Sequence, residues 1–435
     1  MDDPARGLAL RWEQGMSATT APRIDHDDET HSLLALPSYL FFLAGRFLGT
    51  LATGSQSVIL AWEVYEVARL SRTVSEAAFA VGMLGLAQFL PLFAFTLMAG
   101  EAADRHDRRK ILAFCYLTQL MTAVILAIRS LMGGGLWPIF AVASIFGASR
   151  AFFHPAAGAL APMLVPLRLL PRAIATNSMA AQLGSILGPA LGGLLCLASP
   201  TLGYAVSGAL YATAALCASM IRGETRPAHH GGRSRLEQIR EGLIYVWQNK
   251  LVFGAISLDL FAVLLGGATS LLPVFARDVL DVGSEGFGVL RAAPAVGAML
   301  VAGFLARHPI RRQAGPKMLL AVGLFGAMTI VFAWSRSFPL SVLALAILGG
   351  ADMVSVFTRQ SLVQIATPDR MRGRVSAVST LFIGASNELG EFESGVVTRF
   401  LGPVAAVAFG GFGALAVTVS WARMFPALRH ADRLG

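Results

Sequence analysis

The chain has 435 residues, of which 55% are hydrophobic and 14% are charged, and its mean hydropathy is +0.63. This composition excludes an ordinary water-soluble globular protein, in which about a quarter of the residues carry charge. The net charge of +9 would suit a nucleic-acid-binding protein, but the basic residues lie in alternate connections and not on one soluble face. We therefore expect a membrane protein without a nucleic-acid partner.

Residues 1–36 mix Asp, Arg, His, Thr and Pro without apolar periodicity, which predicts a disordered tail. Apolar blocks of about 20 residues follow, the length with which an α-helix crosses a lipid bilayer. The first block begins too far into the chain for a cleaved signal peptide. Twelve membrane-spanning helices are predicted, at 38–66, 77–100, 111–132, 138–160, 173–198, 202–221, 250–275, 285–306, 318–334, 339–360, 375–398 and 400–421.

These spans form two groups of six, in residues 37–221 and 250–422, with a tail at 423–435. In the connection 222–249, Ser234 and Glu237 form a possible capping box, and the apolar residues after them have helical spacing. We expect an amphipathic helix there, which lies on the membrane surface and ties the two halves together.

The two halves look like copies of each other. A shift of 202 residues places Pro166 on Pro368 and Gly193 on Gly395. Six helices separate the matched positions, an even number, so the repeats run parallel and are related by an axis along the membrane normal. Substrate sites in this architecture lie between the halves, which is where we expect the site.

Basic residues concentrate in the even-numbered connections. They are Arg105, Arg108, Arg109, Lys110, Arg168, Arg172, Arg222, Arg226, Arg233, Arg235, Arg240, Arg307, Arg311, Arg312, Lys317, Arg370, Arg372 and Arg374. The odd-numbered connections carry scattered ones, such as Arg69 and Arg277. The positive-inside rule then places both termini and residues 222–249 in the cytoplasm.

The connection between the second and third spans reads GEAADRHDRRK and is short and densely charged. Its pattern residues are Gly100, Asp104, Arg105, Arg108 and Arg109. This connection resembles the signature loop of the major facilitator superfamily, although Asp107 stands where many members have glycine. The resemblance implies a cytoplasmic gating loop, in which the aspartate engages a helix N-terminus of the other half and the arginines pair with acids. The alternative is a simple positive anchor on the cytoplasmic side.

The fifth span contains GSILGPALGG, with Gly184, Gly188 and Gly192 on one helical face, followed by Gly193. With Pro189, this stretch resembles the motif common in the superfamily's exporters and antiporters, and generic packing of small residues is the alternative. We expect Gly188 to lie at a helix contact that re-forms during a transport cycle.

The likeness to the superfamily extends over residues 38–422, and its further motifs lie at 271–275, 286–294, 371–376 and 387–395. These stretches resemble the branch that includes enterobactin-exporter-like permeases. Because members of that branch move siderophores, drugs and other amphipathic compounds, the resemblance implies export. It also implies the major facilitator fold, an all-α membrane protein of two six-helix bundles, in which the first, fourth, seventh and tenth helices line a central cavity.

Ionisable residues inside the predicted spans each need a partner, because a charge in the hydrocarbon region costs at least ~2.5 kcal/mol. The centres of the third, sixth, ninth and twelfth spans have none, which agrees with the lipid-facing helices of that fold. The residues predicted for proton coupling and cargo binding are Asp259, Glu391, Asp352, Glu388, Arg150, Arg291 and Arg46. Asp259 is the first candidate for the coupling group and Glu391 the second.

Some of these charges have structural alternatives. Arg46 and Glu63 could sit near opposite ends of a long first helix and reach water. His154 precedes Pro155 and could satisfy carbonyls that the proline leaves free. Arg150 lies too deep in its span to reach water at the membrane surface. We expect it to orient cargo or to modulate the pKa of the acids.

The sequence thus predicts a monomeric secondary transporter of a bacterial inner membrane, which exports a small amphipathic molecule in exchange for protons and uses no cofactor or metal. An importer or a lysophospholipid transporter of the same fold remains an alternative. An intramembrane enzyme is disfavoured, because the sequence has no His-Glu-x-x-His helix and no Gly-x-Ser-x-Gly elbow. A transport-silent receptor would have little use for buried charges in both halves.

Overall fold

The structure, a computed structural model, describes residues 32–222, 235–267, 269–308, 310 and 312–432. In this part of the chain every long element is an α-helix, as predicted, and twelve helices have at least 16 residues. They are α1 (Pro37–Arg69), α2 (Val74–Arg105), α3 (Arg108–Met132), α4 (Trp137–Leu160), α5 (Leu170–Cys196), α6 (Pro200–Met220), α7 (Lys250–Leu265), α8 (Gly283–Arg307), α9 (Ala314–Trp334), α10 (Phe338–Ala366), α11 (Asp369–Leu401) and α12 (Pro403–Met424). Residues 1–31 of the predicted disordered tail and the capping residue Ser234 lie outside the described residues, whereas Leu33–Ala35, near the end of that tail, form a short 3-10 helix.

Nine of the described helices are long and apolar enough to cross a membrane, and these are α2 to α6, α8 to α10 and α12. A tenth span results if the end of the linker helix and α7 are taken together, although the two are bent by 102°. Helices α1 and α11 have 33 residues each, ample length to cross a bilayer, but fall outside that set. Composition therefore supports nine or ten of the twelve predicted spans.

The predicted continuous span 250–275 is broken in the structure. Helix α7 ends at Leu265, a short helix covers Leu272–Val274, and a π-helical turn covers Phe275–Val279. The Gly266 amide still donates to the Ala262 carbonyl at 2.9 Å, but the described residues after it leave the helix. A side chain at Gly267 would collide with Ser394 of α11, so glycine lets the broken segment lie directly on that helix.

The first six helices and the last six each form a bundle. In the first bundle α1 packs against α5 and α6, and α2 against α4; in the second, α10 packs against α8 and α9. The main contacts between the bundles are α2 with α11 and α5 with α8. These two pairs are equivalent under the predicted repeat, since α2 corresponds to α8 and α5 to α11.

The two ends of the bundle differ. The beginning and end of the described chain lie at one end, together with the linker helix (Arg235–Gln248), whose Glu241 forms an ion pair with Arg374 of α11. We call this the near end. The opposite end, at which α1 joins α2 and α11 joins α12, is called the far end.

Helix α3 presents a continuous apolar face to the outside of the bundle. Exposed side chains recur along it with helical spacing, and they are Phe114, Leu117, Met121, Ile125 and Ile128. An exposed apolar stripe of this length would favour aggregation in water, whereas it matches a lipid environment. This placement agrees with the expectation that the third helix faces lipid.

The glycine stripe of α5 lies against α1 of the same bundle. A Cβ at Gly188 would lie 2.6 Å from the Leu51 carbonyl oxygen, and one at Gly184 would lie 2.8 Å from Cβ of Thr50. The last glycine differs, because Gly193 faces Gly288 of α8 across the two bundles. The stripe is therefore a contact inside one half, and the part of the motif that joins the halves is its end.

We expect Gly188→Ala to destabilise the protein by about 1–3 kcal/mol, since its Cβ would overlap the α1 backbone. The melting temperature of the purified protein measures this loss. Gly158→Ala in α4 is the matched control, because a Cβ there meets nothing within 4 Å, and it should leave the melting temperature unchanged or raise it. Equal losses at the two positions would contradict the tight contact.

Candidate functional site

Ion pairs join the two halves at the far end. Arg69 of α1 donates to Asp278 with 2.8 Å between Nη2 and Oδ1, and the Tyr65 hydroxyl donates to the same carboxylate at 2.5 Å. Next to them, Arg277 and Glu66 lie 2.8 Å apart. Asp278 and Arg277 belong to the turn that follows the broken seventh helix. We refer to these five residues as the far-end latch.

Apolar contacts close the far end further. The Trp62 ring of α1 stacks on Phe287 of α8 with 4.6 Å between the ring centroids. Gly82 of α2 meets Gly395 of α11 so closely that a Cβ on either would lie 2.7 Å from the other's Cα. The halves are therefore packed together on this side.

A cavity of about 660 Å³ lies between the halves, within the range of small-molecule pockets. Both bundles contribute to its wall. Its ionisable lining residues are Arg150, His154, Arg291, Asp352, Glu388 and Glu391. The structure thus brings together five of the seven residues predicted for coupling and cargo binding, whereas Arg46 and Asp259 are not among the lining residues.

Arg150 and Glu388 form an ion pair across the cavity. Nη1 of Arg150, on α4, lies 2.7 Å from Oε1 of Glu388, on α11. Because one partner belongs to each half, this bond is made or lost according to how the halves are arranged.

Glu391 and Arg291 both line the cavity. Glu391 packs against α2 where a Cβ at Gly85 would be 2.9 Å from the glutamate Cβ. Arg291 donates from Nη1 to the Thr269 carbonyl at 3.2 Å, whereas its buried Nε has no hydrogen-bond partner in the described part of the chain. The guanidinium therefore keeps a donor available next to the cavity.

Asp259 pairs with a residue that sequence reasoning missed. Its Oδ2 lies 3.3 Å from Nη2 of Arg359 on α10, and the two residues are only 5% and 3% exposed. A signal was present in the sequence, since Arg359 follows Asp352 by seven residues, two turns on the same helical face. The first candidate for proton coupling thus lies behind the cavity wall, in the second bundle.

Glu63 does not reach water as the structural alternative supposed. It is 4% exposed, its Oε1 lies 2.8 Å from Nη1 of Arg129 on α3, and its Oε2 accepts from the Tyr204 hydroxyl at 2.7 Å. Arg129 also donates to the Gly135 carbonyl at 3.1 Å. Glu63, Arg129 and Tyr204 thus join α1, α3 and α6 inside the first bundle. Their role is structural.

Arg46 lies beside the cavity without lining it. Its guanidinium carbon is 4.9 Å from the centroid of Phe153, a cation–π contact, and its buried Nε and Nη1 have no hydrogen-bond partner among the residues described. His154, which follows Phe153 in the chain, is exposed in the cavity wall. The structure therefore places a charged group behind the aromatic part of the wall.

The charged loop between α2 and α3 binds mainly to its own bundle. Asp107 caps α3 by accepting from the Arg109 amide at 3.0 Å. Arg108 donates to the Ala159 carbonyl at 2.9 Å, and Arg109 donates to the Ile221 carbonyl at 2.7 Å. Arg105 pairs with Glu101 at 2.6 Å. The side chain of Asp104, the expected latch residue, lies outside what the structure describes.

A model of the family described as Major Facilitator Superfamily matches residues 42–390. The chain belongs to this superfamily. It is 25% identical over 411 residues to the enterobactin exporter EntS of Escherichia coli (strain K12), and the alignment covers 91% of this chain and 93% of EntS. The superfamily assignment makes the protein a multi-pass membrane transporter of a small molecule.

Solved structures show the same fold. The POT family transporter PepTSo superimposes with a TM-score of 0.69 at 14% identity, over 91% of this chain and 99% of that one. The nucleoside transporter NupG gives a TM-score of 0.64 at 15% identity, over 89% of this chain and 99% of that one. A bacterial homologue of the human lysosomal transporter Spinster, in an inward-facing and unoccupied conformation, gives a TM-score of 0.65 at 17% identity. That alignment covers 91% of this chain and 96% of the homologue. These likenesses establish the major facilitator fold.

We expect Asp278→Asn to weaken the far-end latch, because it removes the charge that Arg69 and Tyr65 bind. Loss of such a bond costs roughly 1 kcal/mol or more, which is about a fivefold shift between open and closed far ends. Spin labels at exposed positions 70 and 285 report the far-end distance, and the population at longer distance should grow. Glu101→Gln is the control, since it breaks an exposed ion pair inside one half. An unchanged distance distribution for Asp278→Asn would contradict the latch.

Proposed function

We propose that this protein exports a small amphipathic molecule from the cytoplasm across a bacterial inner membrane, in exchange for protons, by alternating access of the cavity. The observation that carries the proposal is the ion pair between Arg150 and Glu388, which joins the two halves inside a cavity large enough for a small molecule. The similarity to EntS supports export and a siderophore-like cargo.

The basic connections support a cytoplasmic near end. With that orientation the latch and the glycine contacts close the cavity toward the outside. In alternating access, a cavity that is closed toward the outside exchanges cargo with the cytoplasm.

The position of Glu391, between two helices that must separate, supports proton coupling. Opening the far end draws α11 away from α2, so the packed surroundings at Gly85 give way to water. Because burial in low dielectric disfavours a charged carboxylate, an acid whose surroundings alternate in this way can bind and release a proton in each cycle. Glu388 is tied to the same motion through Arg150.

Coupling is tested by replacing Asp259, Asp352, Glu388 and Glu391 singly with their amides. With enterobactin as the probe in proteoliposomes, we expect Glu391→Gln to abolish cargo-dependent proton flux, because an amide cannot take up the proton. It should retain exchange of enterobactin in the absence of a pH gradient. If all four amides keep coupled flux, the coupling group lies elsewhere.

Transport direction separates the exporter from an importer of the same fold. Inside-out vesicles with an acidic lumen should accumulate enterobactin, because luminal protons leave as cargo enters, and nigericin should abolish the accumulation by collapsing the pH gradient. Accumulation by right-side-out vesicles with a proton gradient directed inward would instead favour import.

Membrane orientation is tested by cysteine labelling in a background without Cys115, Cys196 and Cys217. In intact cells an impermeant maleimide should modify Asp281→Cys, at the far end, and spare His230→Cys. Both should react in permeabilised cells, which controls for accessibility. The reverse pattern would overturn the orientation.

A further inference from the structure

A second, very small cavity lies behind the wall of the first, between α7, α9 and α10. Its lining residues are Asp259, Ala262, Val263, Val322, Phe325, Asp352 and Ser355. Its volume of about 10 Å³ is at the lower limit for holding one water molecule or one ion. Asp352, Val263 and Phe325 line both cavities, so the small one is reached through Asp352.

The charges around the small cavity do not balance. When both are ionised, Asp259 and Asp352 carry two negative charges, and Arg359, paired with Asp259 at 3.3 Å, supplies one positive charge. Asp259 and Asp352 are the ionisable residues of the cavity lining. An uncompensated charge inside a membrane protein is costly. One additional positive charge would make the group neutral, whereas a divalent ion would reverse its sign.

A serine supplies an oxygen that is without a partner. Ser355 is 3% exposed and lines the small cavity, and its Oγ makes no hydrogen bond to any described residue. Buried hydroxyls are nearly always hydrogen-bonded or bound to a ligand. This oxygen therefore points to an occupant of the cavity.

The end of α7 also favours a cation. Ala262 and Val263 belong to the last turn of this helix, which stops at Leu265, inside the bundle. The C-terminal end of a helix carries partial negative charge, and helices that end inside the membrane bind coupling ions in this way.

We propose that Asp259, Asp352 and Ser355 form a binding site for one sodium ion, for which protons compete. Two carboxylates and a hydroxyl provide oxygen ligands, and Arg359 positions Asp259 as one of them. The site is distinct from the cargo cavity and opens into it at Asp352. Ion binding at this site does not depend on the direction of transport or on the identity of the cargo.

The first test measures the melting temperature of the purified protein in NaCl and in choline chloride at equal ionic strength. Sodium at about 100 times its dissociation constant should raise it by about 3 °C, since a ligand that binds only the folded state stabilises it. Lowering the pH should reduce the difference. Asp352→Asn should abolish it and Ser355→Ala should at least halve it, whereas Thr358→Val should retain it. Thr358 is a matched control, because it is buried on the same helix with its hydroxyl already donating to the Val354 carbonyl at 2.7 Å.

The second test measures binding of radioactive sodium to the same proteins. Wild-type protein and Thr358→Val should bind one ion per chain, displaced by unlabelled NaCl and by acid but not by KCl. The Ser355→Ala protein, which loses a small group and should remain folded, should bind at least tenfold more weakly. Wild-type protein that binds no sodium while still showing coupled cargo flux would overturn the sodium site alone. Sodium binding without cargo flux would leave the site standing and overturn the exporter.

Discussion

A charge inside the membrane must have a partner, and this constraint accounts for much of the arrangement of the described helices. Three buried or partly buried pairs satisfy it in three places. Glu63 with Arg129 lies inside the first bundle, Asp259 with Arg359 inside the second, and Arg150 with Glu388 between them. The first two pairs can persist while the bundles move as units. The third depends on the relative position of the bundles, so it links the charge state of the cavity to conformation.

Close backbone approach is the second requirement, and in the described chain glycine meets it at the two main helix crossings that join the halves. Gly82 meets Gly395, and Gly193 meets Gly288. A contact without side chains provides packing but no interlocking of long side chains. The far end therefore combines strong, directional ion pairs with smooth helix surfaces, which suits an interface that closes firmly and still separates.

Much of the fold could be predicted from the sequence, because the apolar blocks have the length that a bilayer imposes, and the predicted spans lie close to the observed helices. The break in α7 was missed, since glycines in an apolar stretch are equally compatible with a packed helix. Five predicted site residues meet in one cavity, but the partner of Arg150 depends on how two bundles dock, which repeat symmetry does not specify. Arg359 was overlooked because it lies at the end of a predicted span.

The break in α7 gives the far-end latch two unlike sides. Glu66 and Arg69 stand on α1, a continuous helix of 33 residues, so they move with the whole first bundle. Arg277 and Asp278 stand on a short segment beyond a non-helical stretch, so their position does not follow rigidly from that of Asp259 on the same span. The far-end latch therefore joins a continuous helix to a short segment that a break separates from the rest of its span. A change in the position of Arg277 and Asp278 therefore need not displace the ion pair between Asp259 and Arg359, deeper in the same span.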